Sequence, residues 1–326
     1  MAKEATRGLE GILETPMERG LALRVWEGLL GSRRKPTVLR QILTNPLSFG
    51  GLVLVLFFVA VAVFAPDIAP PKGRDPYMIP RDGFLAEPQP PSAEHIFGTT
   101  EGQYDIFYGV VWGTRTAFQV GLIITGVTVF IGLLVGSIAA YVGGWVDEIM
   151  MRFVEIFMAF PFLLAAITLA SVLQARLGRG LLVGMLALTA FGWMGYARLI
   201  RGDILSVKQR DYVLAARVVG VSHPRILWRH IIPNAMYPML VVGSMDIGSY
   251  VASFAALSFL GLGTEIGYAD WGQMLSFARN WIPSLADYWF ILVYPGVAML
   301  LFVLGWNLIG DAFRDILDPR LRGARG

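Results

Sequence analysis

The apolar residues of this chain gather into six long stretches that are wholly or nearly free of charge. The stretches cover residues 47–65, 116–142, 153–174, 180–200, 236–262 and 288–310. An α-helix needs about 20 consecutive, mostly apolar residues to cross the hydrocarbon core of a bilayer. The pattern therefore predicts an all-α polytopic membrane protein with six transmembrane helices.

Small residues recur along the second stretch, at Gly121, Gly126, Gly132 and Gly136. Small side chains let two helix backbones approach closely in lipid, where apolar burial does not by itself drive helices together. We therefore expect this helix to pack against another span.

Composition narrows the classes of function. Of the 326 residues, 55% are of hydrophobic type and 16% are charged, whereas soluble domains carry about 25% charged residues. The chain has no cysteine, which excludes disulfides, thiolate metal sites and cysteine nucleophiles. Its three histidines form no metal-binding motif, and no serine, paired-aspartate or HExxH constellation indicates a hydrolase. We predict no catalytic residue and no metal site.

The basic residues are divided unevenly between the two sides of the predicted membrane domain. Of the 27 Lys and Arg residues, 20 lie in 1–46, 143–152, 198–235 and 311–326, and seven lie in the alternate connections. Cytoplasmic connections of membrane proteins carry the excess of Lys and Arg. The count predicts that both termini are cytoplasmic, and the polar first 46 residues predict no cleavable signal peptide.

This orientation divides the chain into three parts. Residues 1–46 are expected to form a cytoplasmic N-terminal tail, 47–310 the membrane domain, and 311–326 a cytoplasmic C-terminal tail. The outer loop, 66–115, contains eight of the 18 prolines, which predicts extended structure. Its last part, 104–115, mixes aromatic residues and glycines and is expected to form a helix at the outer interface.

In the N-terminal tail, apolar residues recur at helical spacing between arginines. They are Leu21, Val25, Trp26, Leu29 and Leu30. The pattern favours an interfacial amphipathic helix, and a partly disordered tail is the alternative.

The longest inner connection, residues 198–235, has the pattern of two helices separated by a break. Apolar residues at helical spacing predict a first helix over 203–219. Gly220 can adopt the left-handed conformation that ends it, because glycine has no Cβ to clash. The connection is therefore expected to fold on the cytoplasmic side.

The second helix of this connection is expected to begin after Ser222, with Pro224 in its first turn, and to end at Pro233. Arg225 and Arg229 lie four residues apart and share one face. An amphipathic cytoplasmic helix of this kind can dock a soluble partner.

Residues 211–234, DYVLAARVVGVSHPRILWRHIIPN, resemble the cytoplasmic signature of binding-protein-dependent ABC importer permeases. The signature is an Ala-Ala pair, a Gly four residues after the second Ala, and a downstream His-x-x-Pro-Asn. Its positions are occupied here by Ala215, Ala216, Gly220, His230, Pro233 and Asn234.

Further blocks extend the resemblance from about Asn45 to Arg322 and match the dipeptide, oligopeptide and nickel branch, in the second of its two permease subunits. They are NPLSFGGL at 45–52, FAPDIAP at 64–70, EHIFGTT at 94–100, GGWVDEIMMRFVEIFMAFP at 143–161, LSFLGLG at 257–263 and NLIGDAFRDILDPRLR at 307–322. Several blocks in order are far more specific than one motif.

The resemblance implies the six-helix type I permease fold of ABC importers, in the cell inner membrane, with a coupling helix that sits in a groove of a cytoplasmic ATPase. Nine residues are thereby implied in ATPase coupling: Leu214, Ala215, Ala216, Arg217, Gly220, Val221, Ser222, Pro224 and Arg225. Arg217 and Arg225 can pair with acids on the ATPase. Each residue also has an ordinary helix-packing interpretation.

One departure from the family pattern falls inside this set. Leu214 stands where the signature commonly has a glutamate, which removes a polar anchor. Docking through apolar contact and stronger coupling through the sister permease are the two alternatives.

The resemblance also implies the function and the partners. The chain is expected to form, with a homologous permease, a path for di- and oligopeptides, together with two ABC ATPases and an extracytoplasmic binding protein. It has no GxxxxGK phosphate loop, so ATP and Mg²⁺ are assigned to the ATPase, and neither a cofactor nor nucleic acid is expected on this chain. Nickel, glutathione and oligosaccharides stay open as substrates.

Asp246 lies within an otherwise apolar stretch. An acid at mid-membrane depth predicts a water-lined path, a proton site or a paired partner, and a position near the end of the span is the alternative. With Ser253 and Pro161 it is a candidate for the substrate path. Asp246 also supports the competing function, a self-sufficient secondary transporter or channel. Pro161 and Pro295 permit kinks in the third and sixth spans.

Overall fold

The computed structural model describes residues 43 and 45–317 of the chain. The amphipathic helix predicted near residues 21–30 and the end of the C-terminal tail lie outside the described residues. In the described part, the helices are α1 (Pro46–Val63), α2 (Ala65–Ile68), α3 (Ile106–Val142), α4 (Gly144–Met158), α5 (Phe162–Leu177), α6 (Leu181–Val207), α7 (Asp211–Val218), α8 (His223–Ile226), α9 (Ile232–Ala235), α10 (Tyr237–Phe259), α11 (Trp271–Ala278) and α12 (Leu285–Leu317). A π-helical turn, Leu227–Ile231, joins α8 to α9, and a 3-10 helix, Arg279–Ser284, joins α11 to α12.

Five segments are long and apolar enough to cross a membrane. They are α1, α3, α6, α10 and the stretch Trp271–Asp315, which includes most of α12. Helices α4 and α5 make a sixth crossing if they are counted as one broken span. Between residues 45 and 317 there is no β-strand, only three isolated bridges. The prediction of a helical, polytopic membrane protein is confirmed.

The third predicted span is not one continuous helix. Its two halves, α4 and α5, meet at an angle of 84° around residues 159–161. Pro161 stands at the break, where its ring and its missing N–H prevent the helix from continuing. In the sixth span, by contrast, the backbone stays helical at Pro295, and the non-helical dihedral angles lie at Tyr288.

The second span begins about ten residues earlier than the apolar pattern predicts. Asp105 caps the start of α3 by accepting a hydrogen bond from the Tyr108 amide at 2.8 Å. Trp112 is only 1% exposed, and its indole donates to the Ala69 carbonyl at 2.9 Å. Residues 104–115 therefore do not form a separate interfacial helix, because the outer loop folds over the first turns of α3 and buries them.

The outer loop is fastened to α3 by side chains and is not simply extended. Arg115 donates to the carbonyls of Ala62 at 2.5 Å and Val63 at 3.3 Å, and so satisfies the end of α1. His95 Nδ1 lies 2.8 Å from the Asp105 carboxylate. The Arg115 contact joins the end of α1 to α3, and the His95 contact holds the loop against the start of α3.

Helix α3 packs closely against α6 and α10 through its glycines. A Cβ at Gly132 would lie 2.4 Å from the Tyr196 Cβ, and one at Gly136 would lie 2.3 Å from the Ala197 carbonyl oxygen. Gly121 faces α10 in the same way, but a Cβ at Gly126 would meet nothing within 4 Å. The expectation of close packing is therefore confirmed at three glycines and wrong at Gly126, which is exposed.

An aromatic cluster joins the first and last spans. The rings of Phe58, Trp271 and Phe302 lie with centroids 5.3 to 6.0 Å apart, and all three side chains are buried. Large rings in tilted or edge-on contact supply much of the packing at this end of the bundle. The cluster fixes α1 and α12 against each other.

The glycine contacts predict the effect of one added methyl group. Gly136→Ala places a carbon against the α6 backbone and is expected to lower the free energy of unfolding by about 1–3 kcal/mol. Gly126→Ala is the matched control on the same helix and is expected to be neutral. The thermal midpoint of each variant, purified in detergent, measures the difference. Equal midpoints would show that α3 and α6 do not approach this closely.

Candidate functional site

The inner connection folds into short helices between α6 and α10. Helix α6 ends at Val207, and α7 begins after a turn at Lys208–Arg210. The predicted helix over 203–219 is therefore two helices. The Lys208 ammonium group donates to the carbonyls of Ala140 and Tyr141, both at 3.1 Å, which attaches the turn to the end of α3.

The turn after α7 has the geometry predicted for Gly220. Its φ angle is +82°, in the left-handed region that favours glycine. The Gly220 amide donates to the Arg217 carbonyl at 3.0 Å, and the Val221 amide donates to the Ala216 carbonyl at 3.1 Å. This pair of hydrogen bonds is the Schellman motif, which satisfies the free carbonyls at a helix end. The helix stop at Gly220 is confirmed.

The helix after this turn differs from its prediction at both ends. Ser222 occupies the N-cap position with extended backbone angles, but its hydroxyl makes no capping hydrogen bond. Pro224 lies in the first turn of α8, as predicted. Pro233 does not end the helix, because the wider π-helical turn precedes it and Pro233 stands in the first turn of α9.

One face of this segment is buried against the spans. Val213 and Ile226 are fully buried, in a cluster with Ile200 and Ile204 of α6. Ala216 and Val221 are partly buried on the same cluster. The Gly220 turn is therefore held in place by apolar contacts on both sides of it.

The opposite face presents apolar side chains to the surroundings. Leu214 is 45% exposed, Val218 is 88% exposed and Val219 is 81% exposed. Ala215 is exposed beside them. An isolated exposed aliphatic residue is ordinary, but a contiguous patch marks a surface that binds another molecule. We call these four residues the exposed patch.

Basic side chains flank the exposed patch. The Arg217 side chain is partly exposed, yet its Nε atom is buried and makes no hydrogen bond within the described part of the chain. Arg225 is exposed and forms no ion pair with any residue from 45 to 315. Ser222 and Pro224 are exposed next to it. Of the nine residues predicted for coupling, six are thus exposed and three, Ala216, Arg217 and Val221, support the turn.

Tyr141 and Lys208, which sequence analysis did not identify, attach this segment to α3. The Tyr141 hydroxyl lies 2.8 Å from His223 Nδ1 and donates to the His223 carbonyl at 3.0 Å. The Lys208 ammonium group lies over the Tyr141 ring. Burial and the nearby Arg217 lower the pKa of this lysine. The contacts join residues 67 to 82 positions apart, so no spacing in the sequence indicates them.

The three residues predicted for a substrate path come together at one cavity. Asp246, Ser253 and Pro161 line a cavity of about 530 Å³. Its walls come from the break between α4 and α5, from α6 and from α10. The remaining lining residues are Phe157, Met158, Phe160, Phe162, Ala165, Phe191, Gly192, Met194, Gly195, Ser249 and Tyr250.

Asp246 lies well inside the membrane span. It follows the start of α10 by nine residues, which corresponds to about 14 Å along the helix axis. Its Oδ2 atom accepts a hydrogen bond from the Tyr196 hydroxyl at 2.5 Å. The carboxylate is therefore held between α10 and α6 and does not extend toward the end of the span.

The attachment to α3 predicts a change in local dynamics. Tyr141→Phe removes both hydrogen bonds to His223 and is expected to weaken the attachment by about 1–2 kcal/mol. Amide hydrogen exchange in peptides from residues 211–226 should then quicken by roughly 5- to 30-fold. Tyr212→Phe, at an exposed tyrosine of α7, is the control and should leave the exchange unchanged. Unaltered exchange in the first variant would contradict the attachment.

Comparison with protein families agrees with the helices and the inner segment just described. Residues 132–323 match the family of binding-protein-dependent transport system inner membrane components. Residues 37–91 match the N-terminal transmembrane domain of oligopeptide transport permease C. Together the two matches take in the whole inner connection and every span except most of α3, of which only residues 132–142 are matched.

Individual relatives give the same result. The dipeptide transport system permease protein DppC of Alkalihalophilus pseudofirmus is 36% identical over 87% of this chain and 89% of its own length. The oligopeptide transport system permease protein OppC of Bacillus subtilis is 36% identical over 86% of this chain and 87% of its own. These similarities lend no support to the alternative of a self-sufficient transporter or channel.

A solved structure confirms the type of fold. The MetNI methionine ABC transporter, in an inward-facing conformation, contains a chain that superimposes with a TM-score of 0.54 at 17% identity. The match covers 65% of this chain and 98% of that one. The fold is therefore the type I permease fold predicted above. The chain belongs to the family of binding-protein-dependent transport system inner membrane components, and it is a multi-pass membrane permease rather than an enzyme.

Proposed function

We propose that this chain is one of two homologous permease subunits of an ATP-driven importer of di- and oligopeptides. The names of its relatives, which are dipeptide and oligopeptide permeases, support the substrate. The pair would span the cell inner membrane with its termini in the cytoplasm, receive peptide from an extracytoplasmic binding protein, and rest on two ABC ATPases. ATP and Mg²⁺ are bound by the ATPases and not by this chain.

The observation that carries the proposal is the exposed patch beside the Gly220 turn. Leu214, Val218 and Val219 present aliphatic side chains outside the membrane spans, as a surface that binds another protein does. The patch is apolar at Leu214, so it favours docking through apolar contact over a polar anchor. Arg217 Nε has no hydrogen bond within the described residues, and Arg225 is exposed, so both side chains can pair with acids at the rim of an ATPase groove.

The contacts of this segment provide a route from the ATPase to the spans. Val213 and Ile226 anchor the segment to α6, and Tyr141 anchors it to the inner end of α3. Helix α3 in turn packs against α6 and α10 at its glycines. A shift of the ATPases would therefore move α3 and α6 together with the segment. Rocking of such packed helices against the partner permease alternates access between the two sides.

The docking proposal predicts the effect of a charge in the exposed patch. Val218→Asp places a carboxylate in an apolar contact and is expected to reduce ATPase co-purification at least about tenfold. The permease pair should still assemble, because Val218 packs against no core residue. Phe84→Asp is the matched control, since Phe84 is 87% exposed in the outer loop. Quantitative immunoblotting of affinity-purified complexes measures the ratio.

Two results would contradict the docking surface. One is an unchanged ratio of ATPase to permease in the Val218→Asp complex. The other is an equal loss in the Phe84→Asp complex, because that residue lies in the loop predicted to face the outside.

A further inference from the structure

The cavity beside Asp246 combines one carboxylate with several aromatic rings. Phe157 and Phe191 form one ring pair, and Phe162 and Tyr250 form another, each with centroids 6.3 Å apart. All four rings line the same cavity as Asp246. Ring faces attract cations through their quadrupole, most strongly where water is displaced.

Within residues 45–315, the Asp246 carboxylate has no cationic partner. Its Oδ2 atom is bound by the neutral Tyr196 hydroxyl, and no residue of the described ranges donates a hydrogen bond to Oδ1. No Lys, Arg or His between residues 45 and 315 forms an ion pair with it. A carboxylate at membrane depth is costly unless a cation or water balances it. The carboxylate can therefore act as the counter-ion of a positive group that enters the cavity.

Two hydroxyl groups extend this polar side of the cavity. The Ser253 hydroxyl donates its hydrogen to the Ser249 carbonyl at 2.9 Å, which leaves the oxygen lone pairs free to accept. Ser249 and Ser253 both lie on α10 and line the cavity, about one and two turns beyond Asp246. An ammonium group, which has three hydrogens to donate, can bind the carboxylate and a hydroxyl together.

We infer that this cavity binds the protonated amino terminus of a peptide in transit, with Asp246 as its counter-ion and the aromatic rings around it. The inference rests on the proposed peptide import. Among the described residues no Lys, Arg or His lines the cavity, so a peptide carboxylate finds no basic partner in its walls. The volume of about 530 Å³ falls within the range of small-molecule sites, which is about 300–1,000 Å³.

The test compares one peptide with and without its positive charge. The complex of both permeases and ATPases, free of nucleotide and of the binding protein, is titrated with radiolabelled Ala-Ala and with N-acetyl-Ala-Ala. A charge-assisted contact predicts at least about tenfold tighter binding of the free peptide. Asp246→Asn should abolish this preference, and Asp246→Glu should keep it. Asp203→Asn, at a half-buried acid of α6 outside the cavity, is the matched control and should keep it too.

Three results would overturn the site: no binding to the unaltered complex, equal binding of the two peptides, or a preference that survives Asp246→Asn. If Asp246→Asn fails to assemble, Asp246→Ser removes the same charge with a smaller side chain, and an unchanged preference in that variant would then overturn the site. Peptide uptake by the same complex, reconstituted with the binding protein, separates the two proposals. Uptake together with equal binding contradicts the site alone, whereas absent uptake contradicts peptide import.

Discussion

The structure depends on one constraint: within the membrane, the backbone N–H and C=O groups of each span must be satisfied inside the protein. Helix α3 illustrates the solution. Asp105 caps its first turn, and Lys208 reaches back to the carbonyls of its last turn. Between these ends, Gly132 and Gly136 let α6 approach so closely that packing, rather than apolar burial, holds the helices together. A helix fixed at both ends and along its length moves as one body.

That rigidity is what makes the short segment around Gly220 consequential. The same lysine that binds the last carbonyls of α3 lies in the turn before α7, and Tyr141, one residue before the end of α3, bonds to His223 beyond the Gly220 turn. The apolar contacts of Val213 bind the segment to α6. A force applied at the exposed patch therefore reaches two spans through direct contacts, without a long chain of intermediates.

The sequence predicted features that depend on local chemistry. Apolar length identified the spans, and the absence of a Cβ identified the stop at Gly220. Prediction from the sequence was wrong where contacts with residues distant in the chain determine the structure. Gly126 belongs to the same series as Gly132 but faces outward. The first turns of α3 have the composition of an interfacial helix, but they are buried because a loop that is distant in sequence covers them. Asp246, Ser253 and Pro161 were candidates for one substrate path, and the structure places all three at one cavity beside the bend at 159–161.

The central claim is that the Gly220 segment lies in the cytoplasm, opposite the outer loop. Because the chain contains no cysteine, single cysteines report their side of the membrane without background. The measurement is labelling of Val218→Cys and Phe84→Cys in intact spheroplasts by a membrane-impermeant maleimide. We expect Phe84→Cys to react from outside and Val218→Cys to react only after the membrane is opened. Labelling of Val218→Cys in intact spheroplasts would contradict the account.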